Sequence, residues 1–354
     1  MRIGLVVSTF SDNSVGRAFA LWLIAERLGW DSQVISTRGG EIWRPLRHSP
    51  FAEACVLADG LEGRPTLADV AESRDLLVAV KPLPASFGEV LKLHKLTNAR
   101  VLLDIDDPDL EAWMSVHSRL RQLAKATFRP RNYWRAWKLR RASRSFPKIV
   151  SNPELQRLHG GTIIPHARLD FGVGGAQREA PVRVVFVGTV RAHKGLPLLR
   201  AALSRVQGEG FELVITDEPP EDAQPWESFV GTTDLEAGLR LVQGADVVVI
   251  PSTGSGGISR LQLPAKLMDA MVAGRAVVAA DLPPIRWALG GSGELFLPDD
   301  EDALVASLRS VREKSRRSSM GEMARQRALA VFEVSSVMDD FRRACEDAVV
   351  RGAK

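Results

Sequence analysis

The chain has 354 residues, of which 45% are hydrophobic and 25% are charged. This composition is that of an ordinary globular protein and excludes a disordered, collagen-like or disulfide-rich chain. The length is enough for two domains, each with its own core. Cys55 and Cys345 lie far apart in the chain, outside any metal-binding spacing. The amino-terminal apolar run is too short for a signal peptide or membrane span, which predicts a cytoplasmic location.

The formal net charge of +4 is unevenly distributed. Between Glu111 and Glu154 there is no acidic residue, while the same segment holds eleven lysines and arginines. The rest of the chain carries 36 basic and 43 acidic residues, from totals of 47 and 43. One segment therefore makes an otherwise acidic protein basic.

In the first half, short apolar runs alternate with stretches of helical periodicity. Residues 2–8 predict a strand, and the apolar spacing from Ser14 to Leu28 predicts a helix that ends at Gly29. Further strands are predicted at 33–36, 76–80, 101–105 and 149–151, with helices near 86–95 and 109–125. This alternation is typical of a parallel sheet covered by helices.

The second half repeats the alternation. Strands are predicted at 182–187, 212–215, 246–250 and 276–279, and residues 300–354 are mainly helical. The glycine-rich segment 171–181 has no periodicity and is predicted to be a linker. The sequence thus predicts an α/β protein of two tandem Rossmann-like, doubly wound domains that face a central cleft. The expected domains are 1–175 and 176–333, and a helix in 334–354 is expected to cross back to the first domain.

A strand followed by a glycine and two basic residues begins the second domain. In VRVVFVGTVRAHKGL, Gly188 follows the strand, Arg191 and Lys194 come next, and Gly195 precedes a helix. Glycine lets the backbone approach a ligand, and the helix amino terminus with two cations favours a diphosphate. The alternative is an ordinary strand-to-helix turn with two solvated cations.

A second glycine-rich loop follows the strand 246–250. It contains Gly256 and Gly257, and a helix that begins near Pro264 carries Lys266 and Asp269. The pattern predicts a second anion site, with Asp269 placed to accept hydrogen bonds from ribose hydroxyls. The alternative is that Lys266 and Asp269 form an i,i+3 surface ion pair.

Together these segments resemble the sugar-nucleotide domain of family 4 glycosyltransferases, which have the two-domain GT-B fold. The resemblance rests on VGTVRAHKGL, GADVVVIPS and LPAKLMDAMVAGRAVVA, followed by LPPI. In the first half, VLLDIDDPD and SNPELQRLHGGTIIPHARLD are similar to bacterial members.

The resemblance implies roles for individual residues. Arg191 and Lys194 would hold the donor diphosphate and stabilise the leaving group as its negative charge develops. Asp269 stands at the second glutamate of the family's Glu-x7-Glu motif, whereas the first glutamate is replaced here by Leu261. Gln262, or a backbone group of residues 256–259, must then substitute if the protein is an enzyme.

Three carboxylates stand at the carboxyl end of the predicted strand 101–105, where many family members carry a histidine. Alternation along a strand would place Asp104 and Asp106 on one face and Asp107 on the other. Asp106 and Asp107 are the candidates for binding sugar hydroxyls or for removing the acceptor proton. The alternatives are capping of the next helix and a DxD metal site, which the resemblance disfavours because GT-B enzymes generally need no divalent metal.

Four further candidates are expected near the cleft. Gly16, in the first loop with Ser14 and Val15, corresponds to a glycine-containing turn that the family places near donor or acceptor. His166 and Arg168 follow the last strand of the first domain. Lys81 follows the strand 76–80 and is a candidate for binding an anionic acceptor. The alternative is that its charge serves only solubility.

The basic segment interleaves its cations with aromatic residues, as do helices that bind anionic membrane surfaces. Residues 119–144 are therefore predicted to contact the inner membrane face, because family 4 enzymes often glycosylate lipid-linked acceptors. The alternatives are a solvated basic face and a pocket for an acceptor phosphate. Nucleic acid is not expected as a partner, since no recognised nucleic-acid-binding motif accompanies the charge.

The resemblance implies a retaining, metal-independent, hexosyltransferase-type enzyme that needs no cofactor. It would move a sugar from a nucleotide-diphosphate sugar to an acceptor hydroxyl of a lipid-linked or cell-envelope glycan. The alternatives are a catalytically degenerate member that binds a nucleotide or a partner, which Leu261 keeps open, and a sugar-nucleotide epimerase on the same fold.

Overall fold

The computed structural model describes residues 1–12, 14–114, 122, 127–188, 190–254 and 258–352. The contacts divide the chain into two compact units. Unit 1 comprises Met1–Ala167 and Val334–Lys354, and unit 2 comprises Arg168–Glu333. The last long helix thus packs with the first unit, chiefly against the helix Ser14–Arg27.

Unit 1 contains a seven-stranded sheet in the order β3-β2-β1-β4-β5-β6-β7, with parallel pairing throughout. The strands are β1 Arg2–Val7, β2 Asp31–Ser36, β3 Cys55–Leu57, β4 Leu76–Val80, β5 Val101–Ile105, β6 Lys148–Val150 and β7 Thr162–Ile163. The α-helices are Ser14–Arg27, Leu67–Glu72, Phe87–Thr97, Asp109–Met114, Pro130–Ser143, Pro153–His159 and Val334–Arg351. Strands β4 and β5 are buried along their whole length, as their apolar sequences require in a sheet covered on both faces.

Unit 2 contains a six-stranded parallel sheet in the order β10-β9-β8-β11-β12-β13. Its strands are β8 Val182–Phe186, β9 Phe211–Ile215, β10 Glu227–Phe229, β11 Val247–Ile250, β12 Ala276–Ala280 and β13 Glu294–Phe296. The α-helices are Leu196–Val206, Leu235–Gln243, Ala265–Val272, Pro283–Leu289, Glu301–Ser310 and Lys314–Val331. The two parallel α/β sheets in tandem confirm the predicted fold class.

The strand order reverses once in each sheet. In unit 1 the sheet grows outward from β1 and β4, and in unit 2 from β8 and β11. At such a switch point, the two following loops leave in opposite directions and open a crevice at the carboxyl ends of the strands. These two crevices are therefore the places where the candidate site residues are expected to lie.

Candidate functional site

The two motifs predicted in the second domain meet at the switch point of unit 2. Gly188 follows β8, and Pro251 follows β11. The backbone N–H of Thr253 donates to the carbonyl of His193 at 3.1 Å, which joins the two loops directly. Segments about 60 residues apart in sequence are thus brought to one edge of the sheet.

Two glycines fix the backbone of the first loop. Gly188 has φ 109°, and its N–H donates to Oγ1 of Thr216 at 2.7 Å. Gly195, the residue before the helix Leu196–Val206, has φ 72°. A Cβ at Gly195 would lie 1.8 Å from the carbonyl oxygen of Pro251. No other residue fits at Gly195 without moving the backbone.

The two basic residues of the loop differ in their surroundings. Arg191 is exposed, and Lys194 is half-buried. The ammonium of Lys194 donates to Oε1 of Gln262 at 3.2 Å. This contact places the Gln262 side chain, one residue after Leu261, beside a cation predicted to bind the diphosphate.

Lys266 lies on the helix Ala265–Val272, with its Nζ 3.9 Å from the centroid of the buried Phe186 ring. It forms no ion pair with any residue that the structure describes. Burial, followed by the nearby charge of Lys194, lowers the pKa of Lys266 from 10.5 to about 7. A bound anion would supply the missing counter-charge.

Asp269 forms an ion pair with Arg168, the first residue of unit 2. Arg168 donates through Nε to Oδ1 of Asp269 and through Nη2 to the carbonyl of Ala265 at 3.2 Å. The alternative of a Lys266–Asp269 surface pair is therefore wrong, because the carboxylate of Asp269 faces Arg168. Gly256 and Gly257 lie outside the described residues.

The first loop of unit 1 leads into a helix. The N–H of Ser14 donates to Oδ1 of Asp12 at 2.8 Å at the start of Ser14–Arg27. Gly16 lies in the first turn of this helix, where a Cβ would be 3.3 Å from the Trp43 ring. The glycine thus permits close packing of the segment around Trp43.

In unit 1, a buried ion pair that the sequence analysis missed joins the helix Ser14–Arg27 to β5. Nη2 of Arg17 lies 2.7 Å from Oδ1 of Asp104, and both side chains are fully buried. Arg17 also donates to the carbonyls of Ile164 and Pro165, each at 2.8 Å. Arg17 is a single polar position in an otherwise apolar stretch, and no local pattern predicts a partner 87 residues away.

A second buried cluster surrounds Lys81, the residue after β4. Its ammonium lies 3.0 Å from Oδ1 of Asp106, 2.8 Å from Oδ2 of Asp107 and 3.4 Å from Oδ2 of Asp109. The Lys81 side chain is only 4% exposed. It is therefore an internal counterion, and the expectation that it meets an anionic acceptor is wrong.

The cluster holds carboxyl groups that titrate near neutrality. Burial raises the pKa of Asp106 to about 7, against the opposing charge of Lys81. Burial likewise raises the pKa of Asp109 to about 6. Burial alone would lower the pKa of Lys81, but the three carboxylates outweigh it and raise that pKa. Asp106 is thus able to hold or release a proton at neutral pH.

The predicted alternation of the three aspartates is wrong. Asp104 lies within β5 and pairs with Arg17, whereas Asp106 and Asp107 both contact Lys81. The strand ends at Ile105, so the alternation of faces does not extend to the residues after it. The two candidate catalytic carboxylates are thereby brought together.

The carboxylates of Asp106, Asp107 and Asp109 lie close enough to share one cation, with ligand atoms within 4.8 Å of one another. Oxygen donors of this kind suit Mg²⁺ or Mn²⁺. In the structure the ammonium of Lys81 provides the positive charge at this place. His166, the other candidate at the end of the sheet, is buried.

Part of the basic segment forms the helix Pro130–Ser143. Trp134 is 52% exposed and Trp137 is 39% exposed, with their rings 5.7 Å apart. The guanidinium of Arg141 lies 5.9 Å from the Trp137 ring centroid. Residues 115–121 and 123–126 of the basic segment lie outside the described residues. Among the helices that the structure describes, none is long and apolar enough to cross a membrane.

The matches to a family model and to a curated protein each cover part of the chain. Residues 181–314 match the model of the family described as Glycosyl transferases group 1. A phosphatidyl-myo-inositol mannosyltransferase of Mycolicibacterium smegmatis is 30% identical over 138 residues. That match spans 35% of this chain and only 34% of the mannosyltransferase.

Solved structures resemble the whole chain at low sequence identity. Sucrose-phosphate synthase from Thermosynechococcus elongatus superposes with a TM-score of 0.73 at 16% identity, covering 99% of this chain and 100% of that one. Anabaena Alr3699/HepE in complex with UDP-glucose gives a TM-score of 0.73 at 14% identity, covering 98% and 100%. The chain has the GT-B fold. Its matched segment, residues 181–314, contains Gly188, Lys194 and Lys266 of the switch-point site.

Proposed function

We propose that the protein is a retaining family 4 glycosyltransferase that transfers a hexose from a nucleotide-diphosphate sugar to an acceptor hydroxyl. The observation that carries the proposal is that Lys194 and Lys266 lie close together at the carboxyl edge of the second sheet, with Arg191 on the same loop as Lys194. All three lie inside the segment that matches Glycosyl transferases group 1. The structural relative that binds UDP-glucose supports a nucleotide-sugar donor.

The cations suit the chemistry of the leaving group. Cleavage of the bond between the sugar and the diphosphate leaves an additional negative charge on the terminal phosphate. Lys194 and Arg191 are placed on the loop after β8 to stabilise this charge in the transition state. Lys266 lacks a counter-charge, so it gains most from a bound anion. Gly188 lets the backbone approach the phosphates.

Gln262 is the side chain that we propose compensates for Leu261. Its Oε1 accepts a hydrogen bond from Lys194, so it lies where a polar group can orient that cation. Asp269, held by Arg168, keeps its proposed role toward the ribose through its remaining oxygen. The alternative is a catalytically degenerate protein that binds a nucleotide or a partner without turnover. Detection of sugar transfer would exclude it.

In unit 1, we propose that Asp106 and Asp107 act on the acceptor or on the donor sugar. Asp107, whose side chain is 15% exposed against 4% for Asp106, is the one that we propose contacts the acceptor. Asp106, with a pKa near 7, can hold a proton beside it. We propose that catalysis is metal-independent, because the ammonium of Lys81 already lies among the carboxylates that a divalent cation would need.

The basic helix supports a peripheral contact with an anionic membrane, and hence a lipid-linked or cell-envelope acceptor. Its exposed tryptophans Trp134 and Trp137 lie among cations with no acidic residue between Glu111 and Glu154. Such helices bind through apolar burial and attraction to anionic lipids. Sedimentation with phosphatidylglycerol vesicles tests this contact, and Trp134→Ala/Trp137→Ala should reduce it several-fold.

Donor binding and turnover test the main proposal. Titration calorimetry with UDP-, GDP- and ADP-glucose should identify one preferred donor, and Arg191→Ala or Lys194→Ala should weaken it at least about tenfold. Arg240→Ala and Lys314→Ala, which remove exposed ion-paired cations of the same unit, are the matched controls. Slow release of free nucleotide diphosphate distinguishes a transferase from a pure binder. Failure of all three donors to bind contradicts the proposal.

A further inference from the structure

Unit 1 contains a cavity on the opposite edge of its sheet from the Asp106 cluster. It has a volume of about 660 Å³ and is lined by Val101, Lys148 and Thr162, the first residues of β5, β6 and β7. Because these strands are parallel, their amino ends lie at the edge away from Asp106. We call this cavity the amino-edge pocket.

The lining of the amino-edge pocket is strongly basic. Arg100, Arg144, Lys148 and Arg351 line it, with Asp347 as the one acidic residue among its lining groups. These residues come from three separate segments of the chain, around residues 100, 144–148 and 347–351, so their convergence is a product of the fold. The final helix, which packs in unit 1, contributes Arg351 and Asp347.

Helix carboxyl termini account for only part of this charge. Helices end at Thr97, Ser143 and His159 beside the pocket, and their terminal carbonyls attract cations. Two lining side chains bind carbonyls of the loops that follow these helices. Lys148 donates to the carbonyl of Phe146 at 2.9 Å, and Nδ1 of His94 lies 2.8 Å from the carbonyl of Ala99.

Three guanidinium groups of the lining have no partner among the residues that the structure describes. Arg100, Arg144 and Arg351 form no ion pair and no side-chain hydrogen bond with the residues that the structure describes. Burial also lowers the pKa of Lys148 from its ordinary value, as expected for an ammonium without a nearby carboxylate. The pocket thus carries a net positive charge, because Asp347 is the one acidic residue beside four basic ones in its lining.

The backbone keeps the pocket open at one wall. Gly161 has φ 96°, and a Cβ there would lie 2.5 Å from the carbonyl oxygen of Lys148. Only glycine lets the chain turn so closely beneath the start of β6. The cavity falls within the usual size range of small-molecule sites, about 300 to 1,000 Å³.

We propose that the amino-edge pocket binds a phosphate ester, at a site separate from the donor site in unit 2. Guanidinium groups match phosphate oxygens by paired hydrogen bonds, and three of them line this pocket. The phosphate belongs either to a free phosphorylated metabolite or to the headgroup of an anionic lipid. Arg144 directly follows the basic helix Pro130–Ser143, which gives the lipid source a route to the pocket.

The test uses the full chain with Arg191→Ala/Lys194→Ala as background, so that the donor site does not contribute. The vesicle arm also carries Trp134→Ala/Trp137→Ala, so that the basic helix contributes little to lipid binding. Calorimetry with sn-glycerol 3-phosphate measures the free ligand, and sedimentation with phosphatidylglycerol vesicles, against phosphatidylcholine vesicles, measures the lipid. Arg100→Ala/Arg351→Ala should weaken whichever ligand binds at least about tenfold. Arg342→Ala/Arg343→Ala, on the same final helix and outside the pocket lining, is the control.

Each outcome decides the proposal. Binding of glycerol phosphate that the pocket variant loses supports a free phosphorylated ligand. Binding of anionic vesicles alone, again lost in the pocket variant, supports a lipid headgroup. Absence of both, or binding that Arg100→Ala/Arg351→Ala leaves unchanged, overturns it. Circular dichroism confirms folding of each variant, and the outcome is independent of the proposed transferase activity.

Discussion

Binding of the sugar donor should weaken sharply as the pH rises above 7, because of Lys266. The groups that face its ammonium are Lys194, which repels it, and the ring of Phe186. Asp269 on the same helix is engaged by Arg168. Lys266 is therefore largely neutral above its pKa of about 7 in the free protein, whereas a bound diphosphate would keep it charged.

The size of the effect follows from this pKa. Between pH 6.5 and 8.5, the charged fraction of Lys266 in the free protein falls from about three quarters to about 3%. If the bound form stays protonated, the Kd rises about 25-fold over this range, or about 1.9 kcal/mol. The sign is fixed: binding takes up a proton at high pH, so affinity falls as the pH rises.

Calorimetry with the preferred nucleotide-diphosphate sugar checks this expectation. An intact sugar donor is suitable because its diphosphate has no proton that titrates in this range. Measurements in two buffers of different ionisation enthalpy should show uptake of nearly one proton at pH 8.5. Lys266→Arg should bind with no pH step, and Lys266→Met should bind more weakly at pH 6.5 and also without a step.

A flat pH profile in the wild-type protein would refute the reasoning. So would a step of the same size in Lys266→Met, because the titrating group would then be elsewhere. Loss of donor binding at every pH would instead contradict the proposed donor site, so the two failures are distinguishable.

Three further substitutions test the buried features of the fold. Lys81→Met leaves the buried Asp106 and the partly buried Asp107 and Asp109 without their cation and should reduce the free energy of unfolding in urea by about 3 kcal/mol at pH 8. The loss should be smaller at pH 5.5, where the raised carboxyl pKa values leave more of the cluster protonated. Gly195→Ala places a Cβ 1.8 Å from a carbonyl oxygen and should lower the Tm by many degrees, whereas Gly208→Ala, with no atom within 4 Å, should change it little. Asp104→Asn should cost about 3 kcal/mol by leaving a buried arginine charge unpaired, and the exposed pair at Asp75 provides the control, since Asp75→Asn should leave the unfolding midpoint unchanged.

The sequence predicted the central strands because their apolar runs are long and bounded by turn residues. Strands β4 and β5 have the predicted bounds, 76–80 and 101–105. The edge strands β3, β7, β10 and β13 were not predicted, because each has only two or three residues and pairs with a neighbour on one side only. A run that short carries no periodicity, and its pairing depends on the neighbouring strand.

The loops at the unit 2 switch point were also predictable, because glycine and charged residues in a strand-to-helix turn restrict what the backbone can do. Gly188, Gly195 and Lys194 stand where the motif placed them relative to β8. The partners of these residues were not predictable from spacing. The Lys194–Gln262 contact spans 68 residues, and Arg168–Asp269 spans 101.

By itself, the sequence determined the fold class and the identity of the charged residues at the strand ends, because periodicity and turn chemistry are local properties. The tertiary structure decided which charges are neutralised. It paired Asp104 with Arg17, placed Lys81 among three aspartates and left Lys266 over Phe186 without an ion pair among the residues that the structure describes. The protonation of a buried group depends on its surroundings in three dimensions, and only the assembled sheets bring those surroundings together.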